Sequence, residues 1–530
     1  MKTFQLLIKD LVIKKRESMK IFGLTAFCLL FVNSAFLFIE IIQHDDCNFL
    51  NENYKNYILA HQARLDRPLS GFIQQIVFKV CKFRDFNDFV LFRVLSILLL
   101  SICGTLMCKI LQKFTTFHYK ESFLIVTSIL FLPGFSYLVL LNLLWSETLG
   151  FCISLAGGYF LCKEINRAER FSWRWALGGY VLILASASIH QISSFYALIH
   201  FIIKLWNLKH NYNYQLKNIY TGFLIVELAN FSNYLLNKII VKPFLSIEWG
   251  QSIFLPLTPG HQSNFSIQEI LTKIPDFFTG YLKFVGNMCW YSNNLVGIYF
   301  FSALAVLYII NILVGDMRTK VFFLISLFGT LLFLFACFTP FLFSNGGYHF
   351  TRSIIPAQTL VVLSFFFLLK PLLKHSQISG VAVVVFISFF LATTSNNFKS
   401  AVGLKLEYEK IRLFFIDVKE KIKDQESQVI VAKPFYKNGN LLGNKVFADE
   451  WNFINSLVEG NFYMLAHIAG KRAGLYNQLA FTHVDPSSSQ KVMLPTGKYF
   501  LLAFNNLNEA ETYVLKLLDS KSKLLNLRPE

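Results

Sequence analysis

Asp45 and Asp46 stand side by side just after the first long apolar run of the chain. A carboxylate at a membrane surface can take the proton of an attacking hydroxyl as general base. It can also hold a divalent cation such as Mg2+ or Mn2+ through hard oxygen ligands. The pair falls where an apolar helix should end, and there the macrodipole is negative and disfavours an acid. That placement, twice in succession, argues for a task, with a solvated helix end as the plainer alternative. Arg64 and Arg67 follow in Ala63-Arg64-Leu65-Asp66-Arg67-Pro68-Leu69. Guanidinium forks grip phosphate oxygens bidentately. Attraction to lipid headgroups, or a salt bridge to Asp66, would use the same charge.

Three further places carry chemistry. Glu147, in Trp145-Ser146-Glu147, lies between two apolar runs, where an acid is costly unless it meets water or a partner. His190-Gln191 interrupts another apolar stretch, and both side chains can hydrogen-bond sugar hydroxyls. A satisfied core histidine is the alternative there. Arg352 opens a late apolar run just after Tyr348 and His349, where it can reach a phosphate or anchor the interface. The chain has no Walker loop, no HExxH and no GxSxG. An ATP-driven pump and an intramembrane zinc protease are therefore disfavoured.

The elements that must position these residues are membrane helices. The chain has 530 residues, 54% of them hydrophobic and only 15% charged. Its apolar runs are continuous, so helices rather than barrel strands are expected. The net charge of +18 sits in short basic loops, which reads as an orientation signal and not as a nucleic-acid surface. Residues 1–20 form a basic cytoplasmic leader, with no cleavage site in the run that follows. Membrane segments are expected over 21–394, with outer loops at 44–87 and 239–290. About eleven spans place every short basic loop on one side. In the first outer loop, 68–78 is amphipathic and too short to span. Residues 395–530 are then outside, opening with an amphipathic helix near 403–423 and continuing with strand-like runs at 428–432 and 498–504. The expected fold is a polytopic α-helical membrane protein with a small C-terminal α/β extracytoplasmic domain. Of nine cysteines, Cys47, Cys81 and Cys289 fall on the outer side, which leaves a Cys47–Cys81 disulfide open. All the candidate residues fall on that same outer side.

That order of features resembles the GT-C class of glycosyltransferases. Within it, the chain is most similar to bacterial O-antigen glucosyltransferases of the serotype-converting type. In those proteins the Asp-Asp loop is followed by a Gly-Arg-aromatic-Leu stretch. Here Asp66-Arg67-Pro68-Leu69-Ser70 stands in that position, with aspartate for glycine. The family's Tyr-Gln appears as His190-Gln191, where only the glutamine matches. Arg352 matches an arginine opening a late helix, and Ser395-Asn396-Asn397 resembles the end of the family's membrane part. The likeness covers most of residues 1–425 and does not extend into 428–530.

The resemblance implies a sugar, such as glucose, carried on a polyprenyl phosphate and moved to a surface glycan or lipid-linked acceptor. It implies transfer with inversion at the outer face of the bacterial cytoplasmic membrane, beside a donor flippase and a donor synthase. Asp45 or Asp46 would be the base, with the other positioning the acceptor or a cation. Arg67 and Arg352, with Arg64 nearby, would hold the donor phosphate. Glu147, His190, Gln191, Tyr348 and His349 would line the pocket. Two rivals share parts of the pattern: an O-antigen polymerase or ligase, and a transporter or flippase of lipid-linked sugar. A transporter would place its charged groups near mid-membrane and show repeat symmetry.

Overall fold

The computed structural model describes residues 15–39, 52–80, 87–140, 145–165, 173–208, 212–250, 267–282, 285, 294–342, 354–421 and six strands within 428–525. Asp45, Asp46, Tyr348, His349, Arg352, Cys47, Cys81 and Cys289 lie outside these residues. The chain divides into two units. One joins residues 1–37 with 52–397, the other 38–51 with 398–530.

The first unit is helical. Its helices are α1 (Lys15–Val32), α2 (Ser34–Phe38), α3 (Glu52–Arg64), α4 (Pro68–Val80), α5 (Asn87–Phe114), α6 (Tyr119–Leu130), α7 (Pro133–Leu140) and α8 (Trp145–Ile165). They continue as α9 (Trp173–Ile189), α10 (Gln191–Ser194), α11 (Leu198–Leu205), α12 (Tyr212–Leu236), α13 (Lys242–Trp249), α14 (Ile267–Asp276), α15 (Asn294–Val314), α16 (Met317–Leu342), α17 (Ile355–Leu369) and α18 (His375–Lys421), of which residues 375–397 belong to this unit. Four stretches among the described residues are long and apolar enough to cross a membrane: Phe89–Phe114, Gln215–Glu248, Lys320–Pro340 and His375–Val402. The pair α6 and α7, bent by 60°, makes a fifth if taken as one span.

Hydropathy leads one to expect roughly eleven crossings; the described residues supply these four or five, and local chemistry interrupts some of the other apolar runs. Residues 122–141 read as one helix, but Pro133 cannot continue α6 and starts α7 in a new direction. The runs on either side of His190 give short apolar helices, Arg174–Ile189 and Gln191–Leu205. In the other direction, a loop was expected from 239, yet the helix continues to Trp249 through a π-turn at Asn237–Val241. Pro243 falls in the first turn of α13, where its missing N–H is tolerated. A break near 395 was likewise expected. Instead α18 runs through it, because residues 395–402 hold neither proline nor glycine and polarity alone does not end a helix.

Two features hold this unit together. The first is close backbone approach between α8 and α9. A Cβ at Gly157 would lie 3.1 Å from the Gly179 carbonyl, and one at Gly179 would lie 3.0 Å from that of Gly157. Small residues allow such contact where apolar area alone gives helices no reason to associate. The second is a buried amide knot. Asn33, at the break between α1 and α2, donates through Nδ2 to the Leu29 carbonyl at 2.9 Å. Asn397 Nδ2 lies 3.0 Å from the Val32 carbonyl and 3.1 Å from both Asn33 Oδ1 and Ser136 Oγ. Replacing Asn397 by leucine strands these acceptors, at about 1–3 kcal/mol for a buried unsatisfied group. The expected result is a lower Tm of the detergent-solubilised protein; an unchanged Tm would show that the knot is dispensable.

The second unit contains the strands β1 (Gln428–Val431), β2 (Leu479–Phe481), β3 (Val492–Met493), β4 (Tyr499–Phe504), β5 (Tyr513–Leu518) and β6 (Leu524–Leu525). Four form a sheet in the order β2-β1-β4-β5. β1 runs parallel to both β2 and β4, whereas β4 and β5 pair antiparallel with Tyr499 opposite Leu518. β1 and β4 coincide with the apolar runs at 428–432 and 498–504.

Candidate active site

The site is built on the turn between α3 and α4. Arg67 N–H donates to the Gln62 carbonyl at 2.9 Å, and Asp66 N–H donates to that of Ala63 at 3.0 Å. This pair of bonds is a Schellman motif, which requires a left-handed residue at its C′ position. Asp66 is that residue, with φ of 59°. Glycine is the usual occupant, but aspartate tolerates the conformation because its short polar side chain can bond locally. The aspartate that departs from the serotype-converting pattern therefore occupies a position that suits glycine. Pro68 then opens α4 at its first position, where it is favoured. Gly71 brings α4 onto α3: a Cβ there would come within 2.9 Å of Gln62 Cβ and 3.0 Å of Leu59 Cα.

The turn aims Arg67 at Glu147. Arg67 Nη1 lies 3.3 Å from Glu147 Oε1, across 80 residues of sequence. Glu147 sits in the first turn of α8, where the helix macrodipole favours an acid. Its side chain is 3% exposed, that of Arg67 18%. His190 Nε2 approaches the same Oε1 at 3.5 Å. His190 is extended, with φ of −160° and ψ of 123°, and separates α9 from α10. The interruption is what carries its ring to the acid. Ser193 Oγ donates to the Glu147 backbone carbonyl at 3.2 Å. Beside the acid, Ser70 Oγ and Ser146 Oγ are 3.0 Å apart, and Gln74 Nε2 donates to each at 3.2 Å.

Of the sequence candidates, the structure brings together Arg67, Glu147 and His190. Gln191 follows at the start of α10, and its backbone carbonyl accepts from Ser194 Oγ at 2.6 Å. Arg64 sits partly buried in the last turn of α3. Among the described residues no three His, Cys, Asp or Glu side chains converge as metal ligands. The two carboxylates considered for a cation, Asp45 and Asp46, are outside them.

Sequence reading missed the support on α12 and α13. Asn233 Nδ2 lies 3.3 Å from the Asp66 carbonyl and 3.2 Å from that of Ala187. Asn237 Nδ2 donates to the Ala63 carbonyl at 2.8 Å and to Asp66 Oδ1. Lys242 Nζ pairs with Asp66 Oδ1 at 2.9 Å. The available signal was a row of asparagines at 230, 233 and 237, spaced for one helix face in an otherwise apolar run.

Residues 34–369 match the model of a family described as glucosyl transferase GtrII. The matched segment covers more than half of the chain. The protein belongs to the GtrII glucosyl transferase family. No curated protein matches the chain. As a GtrII family member it is a membrane glycosyltransferase, and the family is consistent with the serotype-converting resemblance read from its motifs. The match takes in the turn at Asp66-Arg67, Glu147 and His190, and also the positions of Asp45, Asp46 and Arg352. It stops before α18 and the strands.

In a GtrII glucosyl transferase, an arginine fixed by a buried acid is suited to an anionic leaving group. Glu147→Gln keeps the shape of the side chain and removes the charge that fixes Arg67. We expect transfer to fall by about 10²-fold, the scale of a misplaced binding group, with protein levels in the membrane maintained. Transfer at the wild-type rate would remove Glu147 from the site.

Proposed function

We propose that this protein moves a hexose, such as glucose, from a polyprenyl-phosphate donor to a surface glycan or lipid-linked acceptor. The reaction takes place at the outer face of the bacterial cytoplasmic membrane. The observation that carries this reading is the buried Arg67–Glu147–His190 cluster, held by the turn that follows the Asp45-Asp46 segment. The proposed topology has a cytoplasmic N-terminus, an outer loop at 44–87, a second outer segment between 250 and 290, and an extracytoplasmic domain beyond residue 402.

In the proposed reaction the acceptor hydroxyl attacks C1 of the sugar. Asp45 or Asp46 takes its proton, and the other carboxylate orients the acceptor. The C1–O bond to phosphate breaks and the electron pair leaves with the prenyl phosphate. Arg67 and Arg352 stabilise the charge that develops there. One displacement inverts the anomeric centre. Glu147 keeps the Arg67 fork in a fixed orientation, so little reorganisation is needed as the bond breaks. His190, Gln191, Tyr348 and His349 contact the sugar hydroxyls. A donor already activated on a lipid needs no nucleotide in the outer compartment, and a flippase and a synthase would supply it.

The test is transfer in isolated membranes. Radiolabelled polyprenyl-phosphate glucose and the native surface glycan are supplied, and label in the glycan is counted. Stereochemistry is read from the anomeric coupling of the product. Incorporation with inversion is the expected result. Movement of intact lipid-linked sugar across the membrane without incorporation would replace the enzyme by a transporter. Joining of whole repeat units would point to a polymerase or ligase.

A further inference from the structure

The turn that presents Arg67 is held from outside its own hairpin, by one face of the helix formed by α12, the π-turn and α13. Asn233 and Asn237, four residues apart, share that face. Lys242 comes five residues after Asn237. In a regular α-helix five residues rotate a side chain by about 500°, which leaves it roughly 140° away from the starting face. The π-turn at Asn237–Val241 removes this offset. Its backbone bond runs from Lys242 N–H to the Asn237 carbonyl, so the two residues stand one turn apart. The extra residue in the turn thus adds an ammonium group to a face that otherwise offers only amides.

All three side chains converge on the left-handed residue. Lys242 Nζ and Asn237 Nδ2 meet Asp66 Oδ1, and Asn233 Nδ2 reaches the Asp66 carbonyl. Asn237 also holds the Ala63 carbonyl, one turn earlier. The Asp66 side chain is 20% exposed and that of Lys242 17%, so the pair is partly shielded from water. The next residue is Arg67, whose guanidinium ends on Glu147. A rotation at Asp66 would swing Arg67 away from the acid.

We propose that Lys242 and Asn237 are positioning residues of the transferase. They lock Asp66 in its left-handed conformation and thereby set where Arg67 meets the donor's phosphate. Lys242 acts through Asp66 and does not itself touch the donor. The π-turn is the register device that places it there. This rests on the reading of Arg67 as a phosphate ligand, and two separate readouts keep the two ideas apart.

The first readout is local and needs no activity. Hydrogen exchange of the 62–67 segment is followed in the detergent-solubilised full-length protein. Lys242→Met should speed exchange of the Asp66 and Arg67 amides by roughly tenfold, while Lys242→Arg should restore the wild-type rate. Unchanged exchange in Lys242→Met overturns the lock. The second readout is kinetic, with polyprenyl-phosphate glucose in membranes at matched protein levels. Lys242→Met should lower kcat/KM for the donor by roughly tenfold. Asp66→Gly adopts the turn without side-chain support, so adding Lys242→Met in that background should cost less than about twofold. Equal penalties in the two backgrounds overturn the proposal. So does an unchanged kcat/KM in Lys242→Met when Arg67→Gln lowers it. If Arg67→Gln also leaves kcat/KM unchanged, the phosphate-ligand reading fails, and exchange alone decides the lock.

Discussion

Asp45→Asn and Asp46→Asn should not be equal: the variant that removes the base loses about 10²–10⁴-fold in transfer. The other should lose less, through misplacement of the acceptor. Asparagine keeps the size and the hydrogen-bonding oxygen of aspartate but cannot take a proton at neutral pH. The expected signature is a fall in kcat with little change in donor KM, because the base acts in the transition state and not on bound donor. Transfer at wild-type rates in both variants would sink the carboxylate mechanism. Labelling of single cysteines placed at 45–70 by an impermeant reagent provides a topological check. Protection of all of them in intact cells would move the site to the other side of the membrane.

Arg67→Gln is expected to have the next largest effect, about 10²–10³-fold on kcat/KM for the donor, the scale of removing one preorganised donor from a developing anion. Here the loss has two parts. On the proposed mechanism the donor phosphate loses an arginine partner, and in the structure Glu147 loses the guanidinium 3.3 Å from its Oε1. With 3% of its side chain exposed, Glu147 would then be a buried acid that has lost a cationic partner. Breaking a buried pair from one side costs about 3–5 kcal/mol. Stability must therefore be measured alongside activity. Arg67→Lys separates the parts, since it keeps the charge on Glu147 and loses the planar fork. It should stay near wild-type Tm and still lose most of the transfer rate. If Arg67→Lys transferred normally, bidentate recognition of phosphate would be excluded.

Local chemistry made several pieces legible in the sequence. The apolar runs announced membrane helices because a span needs only length and hydropathy. The piece at 68–78 was visible as an amphipathic helix because its periodicity is local, and α4 covers it. Glu147 and His190 stood out because an acid and a histidine inside apolar surroundings need a partner. Their identity as each other's partner was not legible. They are 43 positions apart and meet only because the chain breaks at His190, which is extended between α9 and α10. Pro133 was plain to see, yet the 60° change of direction at α7 depends on what the helix packs against.

What the sequence alone determined is the membrane character and a set of polar residues placed where burial is costly. These follow from transfer free energies, which each segment carries by itself. The tertiary structure decided which of those residues pair, and it did so through backbone geometry. One left-handed residue at Asp66 turns Arg67 onto Glu147, and one π-turn brings Lys242 round to hold that residue. In the sequence, residue 66 is a salt-bridge partner for Arg64 or Arg67 and a departure from the family's glycine. Its sign of φ, and a lysine 176 positions away, depend on a register that only the packed helices define.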